Sequence, residues 1–274
     1  MWGMLEDMIQ QMLGLEDDLV AIAEFIKKVP FANITAESAD LALIIDNVSS
    51  ILLSTGYTLL VFFFFIDFFK KTIMFEFVNW ETIVKVLLRF FVAKFILSEF
   101  HLVLEGIAIV VNGLIEGVGT VAKDGSIEAL LDSGDIKQQF DALPGLIEEL
   151  LFFVKLLIIW IIMMVIRLAI LFIGYGRFVE ICIYTAIAPI PLSTLVGEET
   201  SSIAKKFFQG YIAVLLQGLI IVVMCFIYLG LVSTFTGNTP QGLDGGLIQY
   251  LICSIVLLFT MLKSGSWAKQ IMGM

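Results

Sequence analysis

The chain has 274 residues, of which 59% are hydrophobic and only 15% charged, with a mean hydropathy of +1.01. Soluble domains run at about 45–50% apolar and about 25% charged, so an ordinary soluble domain is excluded and a polytopic α-helical membrane protein is implied. The formal net charge of −10 excludes general attraction to nucleic acid unless the basic residues are segregated, which they are.

From Met1 to Val29, apolar Leu5, Ile9, Met12, Leu13, Leu19, Val20, Ala23 and Ile26 recur at helical spacing, with Glu6, Asp7, Glu16, Asp17 and Asp18 between them. This predicts an amphipathic helix, too polar to span a bilayer and closed by Pro30. Its acidity disfavours an anionic lipid surface and favours a protein partner. No basic region precedes an apolar core here, so no removable signal peptide is expected in residues 1–40.

Residues 41–111 hold the first two predicted spans. One runs from about Leu41 to Phe69, through the run Phe62-Phe63-Phe64-Phe65, and stops at Lys70-Lys71. The next, Thr82 to Val111, carries Lys85, Arg89, Lys94, Glu99, His101 and Glu105, so it should tilt and turn a polar side to protein. Residues 112–149 are glycine-rich and acidic, a loop with short helices expected around Ile127–Leu131 and Ile136–Leu143.

Residues 150–274 form the predicted membrane core. Leu150 to Ile173 is the third span, interrupted by Lys155 and Arg167, and Gly174 and Gly176 offer a bend after it. Segment 178–196 contains Pro189 and Pro191, each of which lacks a backbone donor and pushes its predecessor, Ala188 or Ile190, out of the α region. Broken backbone at membrane depth is tolerated only where protein or a wet cavity satisfies it. Ala188, Pro189, Ile190 and Pro191 therefore form the expected re-entrant break and functional centre. Glu198 to Gln209 leads into a fourth span, Tyr211 to Phe235, containing Gln217; a turn over Thr236 to Gly246 precedes the fifth, Leu247 to Leu262.

Orientation follows from lysine and arginine placement. Residues 1–40 and 112–149 each hold eight acidic residues against two basic, leaving twelve basic and ten acidic for the remainder. Both acidic regions should face outward and Lys70-Lys71 the cytoplasm. If 178–196 were a full span, Lys205-Lys206 and the tail lysines would lie outside; a half-crossing segment returns them to the cytoplasm. The expected architecture is five transmembrane helices plus the re-entrant segment 178–196, with the N-terminus outside and the C-terminus cytoplasmic.

Little in the chain points to catalysis. Cys182, Cys225 and Cys253 lie singly in apolar runs, as core thiols do. His101 has no second histidine with which to share a metal. There is no G-x-x-x-x-G-K-[ST] loop, and Gly174-Tyr175-Gly176 lacks the third glycine and preceding strand of a dinucleotide site. No cofactor and no enzymatic role are expected. Arg167, Glu180 and Gln217 are intramembrane polar groups, either satisfied by helix contacts or direct parts of a transport path. Five spans offer them little interior, which suggests a homo-oligomer around a shared one. Lys70, Lys71, Lys205 and Lys206 sit at inner span ends, either orienting the protein or forming a basic entrance for a polyanion.

Arg177-Phe178-Val179-Glu180, the broken Ala188-Pro189-Ile190-Pro191-Leu192, Glu198-Glu199, Ala204-Lys205-Lys206-Phe207-Phe208 and Tyr211 to Gly218 resemble the TrbL and VirB-six family of conjugal-transfer proteins, especially its Gram-positive members. The specific similarity runs from about Arg167 to Tyr228, and the remainder agrees in layout. The resemblance implies a multi-pass protein of a bacterial cytoplasmic membrane, a channel or platform subunit of a type IV secretion machine. It implies as partners other secretion subunits, separate ATPases, and transiently a relaxase-linked single DNA strand, with membrane lipid around the spans. Two other functions fit the residues: a small-solute transporter, since broken helices also bind substrates, and a structural scaffold of the same assembly. No internal repeat matches the Pro189/Pro191 break, which weighs against the transporter.

Overall fold

The computed structural model describes residues 7–8, 11, 15–27, 39–73, 80–122, 146–236 and 243–274. Among them the elements are helices: α1 (Leu15–Lys27), α2 (Ala39–Ile73), α3 (Trp80–Ser98), α4 (Phe100–Ala122), α5 (Leu146–Ile187), the short α6 (Pro189–Leu192), α7 (Ser201–Thr236) and α8 (Leu243–Ile271), with a 3-10 turn over Ser193–Val196 after α6. Five stretches are long and apolar enough to cross a membrane: Leu43–Ile73, Phe100–Val118, Leu150–Ile187, Ser201–Leu231 and Ile248–Ile271. The protein is thus an all-α, multi-pass membrane protein.

Side-chain placement supports that reading. In α2, buried Ile45, Ser49, Gly56, Leu60 and Asp67 repeat at intervals of four and seven along one stripe, while Leu43, Ile44, Ile51, Val61, Phe62, Phe65 and Phe69 are exposed. A water-soluble helix would carry charge on that second face; here it is hydrocarbon, suited to lipid.

The chain packs as two units, and α4, α5, α7 and α8 each contribute to both. The first contains α1, α5 through Gly176, α7 from Gly218 and α8 through Gly265. Leu15, Leu19, Ile22, Ala23 and Ile26 of α1 are buried, as amphipathic spacing requires. Their cover includes the chain itself: a Cβ on Gly174 would stand 3.2 Å from Ile22 Cγ2, and the Phe25 and Tyr175 rings are 5.0 Å apart. The expected separate partner for this face is thereby replaced by α5. In the same unit the Tyr228 and Ser254 hydroxyls share a hydrogen bond of 2.9 Å. The second unit contains α2, α3, α4 through Gly113, α5 from Arg177, the proline turn, α7 through Gln217 and the end of α8.

Several predicted boundaries move. The span expected over Thr82–Val111 is two helices meeting at Glu99, and Lys85, Arg89 and Lys94 all fall in α3, outside the apolar stretch Phe100–Val118. α4 continues through Asn112, Gly113 and Gly117 to Ala122, eleven residues into the expected loop. The short helices expected at Ile127–Leu131 and Ile136–Leu143 lie outside the described residues. The helix runs unbroken through Gly174 and Gly176, and 178–187 continue it, so 178–196 is not a separate broken segment. The energetics favour this: a helical glycine costs about 1 kcal/mol, whereas each backbone group unpaired in lipid costs several. At 42 residues, α5 is about 63 Å long, about twice the hydrocarbon thickness. α8 likewise runs on through Lys263 and Lys269, where a tail was expected.

Candidate functional site at the proline turn

The chain leaves α5 at Ala188. Contrary to expectation this residue is not extended; it has φ −46° and ψ −40°, in the right-handed helical region. Pro189 and Pro191 fall in the first turn of a new helix, where proline's fixed φ fits and its missing N–H is not needed. What the prolines interrupt is the hydrogen-bond ladder, since residues 189 and 191 cannot donate to the carbonyls of Thr185 and Ile187. The ladder resumes at once, with Leu192 N–H donating to Ala188 O at 3.1 Å.

The turn that follows is held by its own hydroxyls. Ser193 Oγ donates to Ile190 O at 2.6 Å, Thr194 Oγ1 to Pro191 O at 2.7 Å and Thr200 Oγ1 to Thr194 O at 3.0 Å. Ala188, Pro189, Leu192, Ser193, Thr194 and Val196 are buried, so these bonds satisfy groups that water does not reach. α6 and the 3-10 turn lie against α2 and α3.

Gly56 of α2 permits the closest approach. A Cβ there would stand 2.9 Å from Pro189 O and 3.2 Å from Pro189 Cβ, inside contact distance with backbone that cannot move aside. Gly56→Val is therefore expected to lower stability by about 1–3 kcal/mol through overpacking, read as a fall in thermal midpoint in detergent with helical content retained. An unchanged midpoint would rule out this contact. Gly210 of α7 has a similar role toward Tyr184, whose hydroxyl would lie 2.6 Å from an added Cβ.

Beside the turn is a network of six charges. Glu198 accepts from Lys71 Nζ at 2.9 Å and faces Arg89 Nη1 at 3.6 Å, while Glu199 pairs with Lys70 at 2.5 Å. Asp67 lies 3.6 Å from Lys71, and its Oδ1 accepts from the Glu198 backbone N–H at 3.4 Å. The hydrogen bond and charge of Lys71, then the charge of Arg89, hold the Glu198 carboxyl below its ordinary range. A depressed carboxyl contributes above its unfolded pKa, so this anchor is present at neutral pH and lost only as pH falls through the lowered value.

Inside the same unit, Arg177 is 3% exposed. Its Nε donates to Val214 O at 2.9 Å and Nη2 to Leu215 O at 3.2 Å, which ties α5 to α7 one helical turn before Glu180. Nearby, Tyr211 donates its hydroxyl to Leu104 O at 3.2 Å.

The predicted site residues are thus divided. Ala188, Pro189, Ile190 and Pro191 form one element, and Lys70 and Lys71 are brought to the turn that follows it. Both lysines pair there with Glu199 and Glu198. Lys205 and Lys206 are exposed on α7 and, among the described residues, make no ion pair. Gln217 is half-buried in α7.

Arg167 belongs to the first unit, where Nε and Nη2 bind the Asp18 carboxylate and Nη1 donates to Gln11 O at 3.1 Å. Trp160 Nε1 donates to Gln11 Oε1 at 3.2 Å beside it, on the edge of a mainly apolar cavity of about 250 Å³. Because Arg167 is satisfied within its own chain, it supplies no argument for a homo-oligomer.

Sequence reasoning missed Arg177, Arg89, Asp67 and Gly56 as site residues. A signal existed for two of them. Arg177 and Glu180 are an i, i+3 pair in an otherwise apolar run, and Gly56 is a small residue where lipid-facing positions are large.

A family model described as TrbL/VirB6 plasmid conjugal transfer like protein matches residues 41–189. No curated protein and no solved structure matches the chain. The matched stretch runs through α2, α3 and α4 and ends at Pro189; of the motifs, Arg177 to Glu180 lie inside it, while Glu198-Glu199, Ala204 to Phe208 and Tyr211 to Gly218 lie beyond it.

Proposed function

Because the chain belongs to the TrbL/VirB6 plasmid conjugal transfer like family, we propose that it is a channel or platform subunit of a type IV secretion machine, passing relaxase-linked single-stranded DNA across a bacterial cytoplasmic membrane. The observation that carries this reading is the match over residues 41–189, more than half of the chain. Separate ATPases supply the energy, and other secretion subunits complete the assembly.

The charge network supports the number of crossings, and lysine and arginine placement the side on which it lies. The bonds of Lys70 and Lys71 to Glu199 and Glu198 require the end of the first span and the turn between the third and fourth to share a side. Five spans alternating from an outside N-terminus put both on the cytoplasmic side, and the C-terminus with them. No half-crossing segment is then needed, because α5 itself delivers the proline turn to that face.

Deleting the gene from a conjugative element is expected to abolish transfer, with restoration by a plasmid copy; transfer at the parental frequency without it would refute the role. Sidedness is tested separately with single cysteines at Ser126, Thr239 and Ser202. An impermeant maleimide should label the first two from outside intact cells and spare the third. Outside labelling at Ser202 would overturn the orientation.

A further inference from the structure

Three cations, Lys70, Lys71 and Arg89, converge on carboxylates borne by two consecutive residues, Glu198 and Glu199. We infer that these cations form a phosphodiester site for single-stranded nucleic acid, and that Glu198 and Glu199 occupy it as built-in competitors until a strand displaces them. The inference rests on the DNA-conduit reading and deepens it.

Exposure divides the network into a fixed part and an exchangeable part. The Lys71 and Asp67 side chains are only 14% and 11% exposed, so this pair stays in place. Glu198 and Glu199 are 60% and 76% exposed, Lys70 49% and Arg89 40%. Ion pairs that open to water are weak and salt-screened, and a competing anion exchanges into them at small cost.

Exchange needs no refolding of the turn. Its backbone is held independently by Ser201 N–H on Gly197 O at 3.0 Å and Thr200 Oγ1 on Thr194 O at 3.0 Å. Only two flexible side chains must swing away. What takes their place must carry several negative charges. The tethered carboxylates are at high effective concentration, so a single phosphate ion loses to them, whereas a chain of phosphates engages several cations at once.

Two further features favour a strand over a lipid headgroup. The Arg89 guanidinium has the planar fork that suits phosphate oxygens. The exposed Lys205 and Lys206 follow on α7, Lys206 about 7.5 Å along the helix from Ser201, and so extend the basic track beyond the reach of one headgroup.

The test uses the full chain in phosphatidylcholine nanodiscs and a fluorescein-labelled oligodeoxythymidylate, with anisotropy read over a salt series. Glu198→Gln/Glu199→Gln is expected to bind at least about tenfold more tightly than wild type at moderate salt. Its plot of log affinity against log salt should steepen by about 1.4, from about 0.7 per phosphate contact over the two exposed cations, Lys70 and Arg89. Adding Lys70→Gln, Lys71→Gln and Arg89→Gln should abolish the gain. Equal affinity of wild type and the glutamine variant, or a gain that survives loss of the three cations, overturns the proposal. So does a gain for phosphatidylglycerol nanodiscs with none for the oligonucleotide, which would make this a lipid headgroup site.

Should the glutamine variant not reconstitute, wild type is compared at low salt with Lys70→Gln/Arg89→Gln. The proposal requires binding about tenfold weaker in that variant, and equal binding overturns it. Failure in these assays, with transfer still dependent on the chain, removes the competitor site and leaves the conduit role standing. Binding at this site in a chain whose deletion leaves transfer intact removes the conduit role alone.

Discussion

Replacing Arg177 with alanine is expected to lower stability by about 3 kcal/mol or more, the largest loss of any single substitution considered. Two bonds from a charged donor to Val214 and Leu215 carbonyls disappear, each worth about 1.5–3 kcal/mol. A cavity opens between α5 and α7 where a 3% exposed side chain stood. Arg177→Met separates the causes, because an apolar side chain of similar volume refills the space without the cost of desolvating a charge. It should recover at least half of the loss. Unfolding of the purified protein in mixed micelles, followed by circular dichroism, provides the measurement. An alanine variant within about 0.5 kcal/mol of wild type would show that the clamp contributes nothing.

Pro189→Ala with Pro191→Ala is expected to reduce DNA transfer at least about a hundredfold while membrane insertion stays normal. The substitutions return N–H donors to the carbonyls of Thr185 and Ile187, and Ala188 already has helical φ and ψ. Nothing then prevents α5 from running through α6 as one rod. The direction in which residues 193–200 leave would change, withdrawing Glu198 and Glu199 from Lys71, Arg89 and Lys70. Transfer frequency, scored with the amount of protein in the membrane fraction, decides the matter. Wild-type transfer would reduce the prolines to an incidental bend.

Which parts of this architecture were legible beforehand has a physical pattern. Five spans could be read from runs of apolar residues, because lipid exposure leaves long stretches without charge. Their ends could not. Gly174 and Gly176 look like breakers by the standards of water, but in a bilayer the backbone keeps its internal bonds and the helix passes through them. Ala188 was expected to be extended because it precedes a proline; packing of the turn against α2 and α3 outweighs that local preference.

At the site, the basic pair Lys70-Lys71 and the acidic pair Glu198-Glu199 were both visible, but their union spans 129 residues between Lys70 and Glu199. Residue types announce charge; only the fold announces a partner. The same limit hid the contrast between two arginines in α5. Arg167 stood out as an intramembrane charge, and Asp18 meets it, while Arg177 is the more deeply enclosed and depends on backbone carbonyls.

The bond between Arg167 and Asp18 joins residues 149 apart in sequence, and that separation becomes an interval during synthesis. At about 5–20 residues per second, roughly 7 to 30 s elapse after Asp18 leaves the peptidyl-transferase centre before Arg167 is even made. α1 must persist through that time with Leu15, Leu19, Ile22 and Ile26 uncovered. Its neighbouring Glu16, Asp17 and Asp18 are what keep such a segment dispersed in water and out of the bilayer during the wait. The carboxylate that later meets Arg167 is therefore also part of the device that keeps its helix available, and a neutral version of α1 would tend to aggregate or insert before its seat on α5 existed.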